Sequence, residues 1–345
     1  MDTGKYKYLT QFLSCVLHAC YLGLKYPRMG QSPRCCASIR NNAYMDTPEP
    51  LVSLITLNYN QTSTTCQFLE STRSLTYKNI EILVCDMGSD TDPTATICAG
   101  RYPKTRVLLS RQNLGFAGGN NWGIRHAKGE FIFIVNNDTE VTPTLINQLL
   151  EPFSHDATIG ACSPKIKFFD RPDTIQYAGF APMSRFTGRT ATIGEGEKDQ
   201  GQYDQPCYTH AAHGCAMMIR RTVLDTTGML PERFFLYYEE WDLSERILRS
   251  GYRIWYTAGA TIYHKLSVSV GRDNPLRIYY LTRNRILFMR RNRSNFSLFV
   301  FYLFFAFFSF PKAVAGYVFK KQFRYLKWFF RGVGWNFLHS CRSVI

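Results

Sequence analysis

Phe131-Ile132-Phe133-Ile134-Val135 runs directly into Asn136-Asn137-Asp138-Thr139-Glu140, and this change of character decides how the chain reads. Five apolar residues closed by turn-type side chains describe a buried strand with a polar C-terminal end. In open α/β sheets ligands collect at such ends. Asp138 offers a hard oxygen suited to a divalent cation, which a diphosphate-bearing ligand requires. An Asn-Asp pair alone signals only an Asx turn. Its weight comes from the neighbouring strand ends.

Upstream, Leu51–Leu57 reads as an apolar strand with Thr56 near its end, followed by Asn58-Tyr59-Asn60. Thr62–Leu75 has helical spacing. Ile80–Cys85 is a second strand and ends in Asp86-Met87-Gly88-Ser89-Asp90; Arg106–Leu109 is a third and ends near Arg111-Gln112-Asn113. A helix is expected over Asn120–Lys128. Strands alternating with helices imply an α/β domain with a mostly parallel sheet covered on both faces. Polar residues at four successive strand ends are what a nucleotide crevice needs.

Each motif has a plain reading beside the functional one. The Asp86 carboxylate is suited to accept the ring N3–H of uracil or thymine, whereas Ser89 and Asp90 suit a ribose and a helix cap equally well. In Asn113-Leu114-Gly115-Phe116-Ala117-Gly118-Gly119-Asn120-Asn121 the glycines allow close backbone approach before a helix N-terminus, an arrangement that favours an anion. A bare glycine cluster is usually a tight turn; Arg111 just ahead of it strengthens the anion reading. Glu239, Glu240 and Asp242 open a helix, where acids are favoured anyway. Their aromatic neighbours Phe234, Phe235, Tyr237, Tyr238 and Trp241 are suited to raise a carboxyl pKa and to platform a sugar ring. Gly194-Glu195-Gly196-Glu197-Lys198 reads as a mobile loop over a site. His264 is expected as a second ligand beside Asp138, with Mn2+ or Mg2+ between them.

Of the formal net charge of +15, almost all lies at the C-terminal end: from Lys265 onward fifteen Lys and Arg face one acid, Asp273. Residues 1–46 read as an extension outside the core, because Leu9–Leu24 is too short and broken to span a bilayer. Phe296–Phe310 is apolar but also short of a span, and basic on both flanks, which suggests a re-entrant or interfacial segment. Beyond it Lys320, Arg324, Lys327 and Arg331 lie along one helical face, and Phe323, Leu326, Phe330, Val333 and Phe337 along another. That is a basic amphipathic helix suited to an anionic membrane surface rather than to nucleic acid. The eleven cysteines show no metal-type spacing, as in a reducing cytosol.

Taken in order, Asn58-Tyr59-Asn60, Asp86-Met87-Gly88-Ser89-Asp90, the Asn113–Asn120 passage, Asn136-Asn137-Asp138-Thr139, Phe234–Asp242 and His264 resemble family 2 glycosyltransferases. The resemblance covers about residues 50–292. It is strongest to the rhamnosyltransferase-like branch of bacterial surface-polysaccharide synthesis. It implies a GT-A fold over residues 47–292, followed by a membrane-associated tail over 293–345. It also implies a dTDP- or UDP-linked sugar donor, a Mn2+ or Mg2+ ion, inversion at the anomeric carbon and a lipid-linked saccharide acceptor at the cytoplasmic membrane face. Thr56, Asn58, Asp86, Ser89, Arg111, Asn113, Gly118, Asn137 and Arg283 would bind the donor, with Asp86 on the base and Arg283 on the diphosphate. Asp138 and His264 would hold the metal. Glu240 would be the base that deprotonates the acceptor, with Glu239 and Asp242 beside it. Two departures stand out: Asn136 replaces the first acid of the family's Asp-x-Asp, and Glu240 stands where many relatives carry Asp. An inactive nucleotide-sugar binder and a transferase with a soluble or protein acceptor are the alternatives.

Overall fold

The computed structural model describes residues 49–265, 274–340. The extension at 1–46 and Asp273 lie outside the described residues. The elements in chain order are β1 (Val52–Asn58), α1 (Thr62–Thr72), β2 (Ile80–Asp86), α2 (Thr94–Ala99), β3 (Thr105–Leu109), α3 (Gly115–His126), β4 (Phe131–Val135), β5 (Thr139–Val141) and α4 (Leu145–His155). There follow β6 (Ile159–Phe168), β7 (Ile175–Tyr177), β8 (Cys207–Thr209), β9 (Ala216–Arg220), α5 (Arg221–Thr227) and α6 (Glu239–Arg249). The chain closes with β10 (Arg253–His264), α7 (Pro275–Asn292), α8 (Asn295–Phe304), α9 (Phe310–Phe319) and α10 (Phe323–Leu338).

The sheet runs β3-β2-β1-β4-β9-β6-β10-β5, with β7 beside β6 and β8 beside β10. Its first four strands are parallel, and their register places Asn58 opposite Asp86. Both faces of β1, β2 and β4 are buried, which explains their near-continuous apolar sequences. β9 then runs antiparallel to β4 and β6. β10 runs parallel to β6 and antiparallel to β5, pairing His264 with Thr139. The register of β10 on β5 therefore brings His264 beside Asp138, 126 positions earlier in sequence.

Helix α3 begins at Gly115, five residues before the expected start. Asn113 Oδ1 accepts the Gly115 N–H at 2.8 Å, so the glycines belong to the first turns of the helix. They serve helix-to-sheet packing. A Cβ at Gly119 would stand 2.7 Å from Met87 Sδ, and one at Gly123 would stand 2.5 Å from Ile55 Cγ2. The expected mobile loop at Gly194–Lys198 is instead pinned to β7. Ile175 N donates to Glu197 O at 2.8 Å and Gly196 N to Ile175 O at 2.9 Å, while Lys165 and Lys167 both reach Asp199 just beyond.

The tail is part of the same compact unit as the core, which spans Glu49–Ile345. Asn295–Phe319 forms one helical stretch of 25 residues, continuing through Pro311 by way of a π turn at Phe305–Ser309. The expectation of a segment too short to span is thereby corrected, since by length and composition this helix suffices to cross a membrane. One of its faces is nevertheless packed on the domain: Phe301 and Phe305 are buried, with the Arg285 guanidinium of α7 over both rings. Helix α10 lies along α7 through Phe329, Gly332 and Asn336, a face the apolar stripe did not include. A Cβ at Gly332 would stand 2.8 Å from the Tyr279 carbonyl, so glycine is what lets the two backbones approach. Phe323, Phe330 and Phe337 remain exposed, as do Lys320, Arg324, Lys327 and Arg331.

Candidate functional site

The polar strand ends of β1, β2 and β4 are wired together. Asn58 Nδ2 donates to Asp86 Oδ1 at 2.7 Å, Thr65 Oγ1 donates to Asn58 Oδ1 at 2.7 Å, and Asn137 Nδ2 donates to Thr65 Oγ1 at 2.9 Å. Ser89 closes the chain of bonds at the other end, donating through Oγ to Asp86 Oδ1 at 2.5 Å and through N–H to Asp86 Oδ2 at 3.0 Å. Asn58, Asp86 and Asn137 are all buried, and such a satisfied polar network fixes its members rigidly. Thr65 was missed by the sequence reading; its place opposite Asn58 depends on how α1 packs, which no local motif records. Thr56 Oγ1 is buried without a hydrogen-bond partner among the described residues. Arg111 is exposed just past the end of β3.

At the end of β4, Asp138 Oδ1 lies 3.1 Å from His264 Nε2. The other imidazole nitrogen, Nδ1, is 2.9 Å from Gln176 Oε1. An amide oxygen only accepts, so Nδ1 carries a proton, and the Asp138 carboxylate beside Nε2 favours a proton there as well, one that a bound ion would replace. Burial works against charge on this imidazole, but the Cys215 thiol and the Asp138 carboxylate beside it raise its pKa overall. The pair fits a divalent ion. Two neighbouring ligands on an octahedral ion with bonds of about 2.1 Å stand about 3 Å apart, and Asp138 Oδ1 is buried with no hydrogen-bond partner. Among the described residues no cluster of three or more His, Cys, Asp or Glu is placed to cage an ion. Such a site leaves coordination positions for phosphate oxygens, as Mg2+ sites commonly do. Gln176 lies on a three-residue strand, β7, and no motif in the sequence marked it.

The third part of the site is the loop Arg233–Tyr238. Phe235, Tyr237 and Tyr238 have φ of +62°, +71° and +75°. For residues with side chains this conformation costs on the order of 1–3 kcal/mol each and persists only where surroundings enforce it. The loop delivers the chain into α6, whose first residues are Glu239 and Glu240. Burial and the neighbouring Glu240 push the Glu239 carboxyl well above its ordinary pKa, and Glu239 Oε2 has no hydrogen-bond partner among the described residues. Glu240 is half-buried, and burial raises its carboxyl to about 7. Its side chain lies over Gly214, where a Cβ would come within 3.7 Å of Glu240 Cγ. Gly214 adjoins Cys215, which contacts His264. Gly214 thus stands between the Glu240 side chain and Cys215, the residue beside His264.

Three expected residues take other positions. Asp242 turns to the back of α6, where burial opposes its charge but Arg291 and Arg246 hold its carboxyl below the usual range. It fastens α6 to α7 and does not join Glu239 and Glu240. Gly118 faces Leu114 and Glu232 rather than an open crevice. The helix N-terminus that was expected to take an anion instead meets protein: Phe116 N donates to the Phe235 carbonyl at 2.6 Å. A Cβ at Gly115 would stand 2.5 Å from that same oxygen. Arg283 spends its guanidinium on the Arg233 and Phe234 carbonyls at 2.8 and 2.6 Å. A cavity of about 1030 Å³ lies behind α6, lined by Asp242, Arg246, Arg249 and Arg291 among others. It includes none of Asp138, His264 and Glu240, and the chemistry described above lies outside it.

Comparison with known proteins agrees with this architecture. The profile of glycosyl transferase family 2 matches residues 53–228, half of the chain. The N-acetylglucosaminyl-diphospho-decaprenol L-rhamnosyltransferase of Mycobacterium tuberculosis is 26% identical over 227 residues, covering 60% of this chain and 73% of that protein. The UDP-Glc:alpha-D-GlcNAc-diphosphoundecaprenol beta-1,3-glucosyltransferase WfaP of Escherichia coli is 39% identical over 102 residues, covering 29% of this chain and 40% of its own. Among solved structures, GalNAc-T7 with UDP, GalNAc and Mn2+ superposes with a TM-score of 0.56 at 16% identity, over 69% of this chain and 48% of that one. The strand-end network of β1, β2 and β4 falls inside the matched segment, and the chain belongs to glycosyl transferase family 2, with the GT-A fold.

Proposed function

We propose that this protein is an inverting glycosyltransferase. It would transfer one sugar, a hexose or deoxyhexose such as rhamnose, from a dTDP- or UDP-linked donor to a lipid-linked saccharide at the cytoplasmic membrane face. The observation that carries the reading is Glu240: a carboxyl with a pKa raised to about 7, delivered by a left-handed loop and linked through Gly214 to the Asp138–His264 pair. A base poised near neutral pH is what deprotonation of an acceptor hydroxyl requires. Asp138 and His264 would hold Mn2+ or Mg2+, which when bound supplies positive charge against the leaving diphosphate. Asp86, with Asn58 and Ser89, would receive the nucleoside. The mycobacterial and E. coli relatives are named for prenyl-diphosphate saccharide acceptors, which supports the same acceptor class here.

The tail supports the location. Phe296, Phe307, Phe319 and Phe337 are each at least 70% exposed, an unusual apolar surface for a soluble protein. Basic side chains border it. With one face of Asn295–Phe319 held against α7, the helix is proposed to lie in the interface of an anionic membrane rather than to cross it.

The test is a transfer assay with UDP-glucose and dTDP-rhamnose on a short-chain GlcNAc-diphospho-prenol, with and without Mn2+, for the wild type and Asp138→Ala. Transfer from one donor, stimulated by Mn2+ and lost in the variant, is expected. Nucleotide-sugar binding without any transfer to lipid-linked, soluble or protein acceptors would favour an inactive binder. Mn2+-dependent binding that survives Asp138→Ala would remove the metal assignment.

A further inference from the structure

We propose that Tyr279-Tyr280-Leu281-Thr282-Arg283-Asn284 on α7 is a clamp for the loop Arg233–Tyr238, and that Asn284 and Arg283 are positioning residues for Glu240 in the transfer reaction. This rests on Glu240 being the base. It reassigns Arg283, whose expected partner was the donor diphosphate.

The geometry is specific. The single Asn284 amide group donates to three carbonyls of the loop, sharing one N–H between two of them: Phe234 O at 2.9 Å, Leu236 O at 2.7 Å and Tyr237 O at 2.8 Å. Arg283 Nε donates to Asn284 Oδ1 at 2.7 Å, which orients the amide so that its N–H groups face the loop. Arg283 Nη2 adds bonds to the Arg233 and Phe234 carbonyls. The Tyr280 ring stacks on Phe235 at 5.2 Å with 13° between planes. Asn284 is fully buried, and Asn336 of α10 backs the clamp by donating to the Arg283 carbonyl at 3.0 Å.

A loop carrying three left-handed residues with side chains relaxes unless its carbonyls are held. Phe235 and Tyr238 also face the chemistry's two supports: the Phe235 carbonyl caps α3, and Tyr238 immediately precedes Glu239-Glu240. A base misplaced by about 1 Å can cost about a hundredfold in rate. The clamp thus converts packing on α7 into the position of one carboxyl.

The experiment uses the full chain with Asn284→Ala and, as a milder change that leaves every hydrogen bond in place, Tyr280→Leu. Trypsin cleavage after Arg233 reports the loop directly, and kcat, KM and the pH profile of transfer report the carboxyl. For Asn284→Ala we expect faster cleavage after Arg233, kcat at least tenfold lower and KM for the nucleotide-sugar within twofold. Loosening the loop admits water to Glu240 and lowers its pKa, so the acid limb of kcat should move to lower pH, a shift that simple loss of stability does not produce. Tyr280→Leu should show the same pattern more weakly, and it decides the matter if Asn284→Ala does not fold. The proposal is overturned if the folded variants keep kcat within twofold and the acid limb in place while Glu240→Gln is inactive. If Glu240→Gln is itself fully active, the base reading falls and the positioning claim with it. Faster tryptic cleavage would then show only that the loop is clamped.

Discussion

The two halves of the site are held by opposite means. On the proposed donor side, Asp86, Asn58, Thr65 and Asn137 bond to one another across three adjacent parallel strands and the helix above them, all within 80 positions of sequence. On the proposed acceptor side, Glu240 opens α6 directly after a left-handed loop whose carbonyls are held by Asn284, more than 40 positions downstream. The first half is fixed by its own strand register; the second is fixed by a partner element. Changes to the donor half should therefore act locally, and changes to the acceptor half should be felt from a distance.

The largest effect tests the acceptor half at its centre. Glu240→Gln keeps the shape but cannot take a proton, so transfer should fall by about 10²–10⁴-fold with donor affinity within a few-fold. Glu239→Gln should fall less; the reverse order would exchange their roles. The effect of Glu240→Gln on stability depends on pH. The folded pKa of Glu240 is about 7 against 4.5 for the free side chain, so the wild type is favoured below pH 4.5 and loses that contribution as pH rises through 7. Thermal melts should show Glu240→Gln gaining on the wild type between pH 5 and pH 8. A constant difference would deny the burial of this carboxyl.

Next comes the membrane face. Replacing Lys320, Arg324, Lys327 and Arg331 by Gln removes attraction of about 1 kcal/mol per residue near an anionic surface. Binding to anionic vesicles should drop by roughly a hundredfold or more, while binding to neutral vesicles is spared. If high salt does not imitate the change for the wild type, charge is not what docks the tail.

On the donor side, Gln176→Leu leaves His264 without the partner that fixes its protonated nitrogen. Loss of such a support typically weakens metal binding by about 10–100-fold. Titration of the protein with Mn2+ and UDP should show this, with the melting temperature little changed; unaltered affinity would separate Gln176 from the metal site.

The smallest effect probes the packing that joins tail to core. Gly332→Ala places a Cβ 2.8 Å from the Tyr279 carbonyl, an overpacking that typically costs about 1–3 kcal/mol. A melting temperature lower by a few degrees is expected. No change would mean that α7 and α10 do not approach as closely as described. For the same reason truncation after Asn292 should destabilise α7 instead of leaving the core untouched.

The sequence carried the donor half well. Strands β1, β2 and β4 with Asp86 and Asp138 at their ends were legible because apolar runs and turn residues are local features. His264 was legible as a candidate ligand, but its pairing with Asp138 is made by the register of β10 on β5, which no local feature records. The acceptor half was less so. Glu239 and Glu240 were visible, but Asp242 shares their helix turn and faces the opposite way, a distinction that needs the packing of α6 on α7. Asn284 and Gln176 act through residues far from them in sequence, and an isolated Asn or Gln carries no local mark of its partner. The glycines of α3 misled for a related reason: close approach was correctly expected, but to the Phe235 backbone rather than to a ligand.

The dependence of the Arg233–Tyr238 loop on α7 also sets an order of events during synthesis. The strands that hold Asp86 and Asp138 are complete before residue 142 leaves the ribosome, yet the Phe234, Leu236 and Tyr237 carbonyls acquire their Asn284 donor only when that residue emerges, at about 5–20 residues per second. Until then the three left-handed residues have the contact of the Phe235 carbonyl with α3 but lack the donors of α7. On the proposed function, a nascent chain should thus be able to assemble its nucleotide side early and remain unable to activate an acceptor, with competence for transfer arriving only as the C-terminal helices are made.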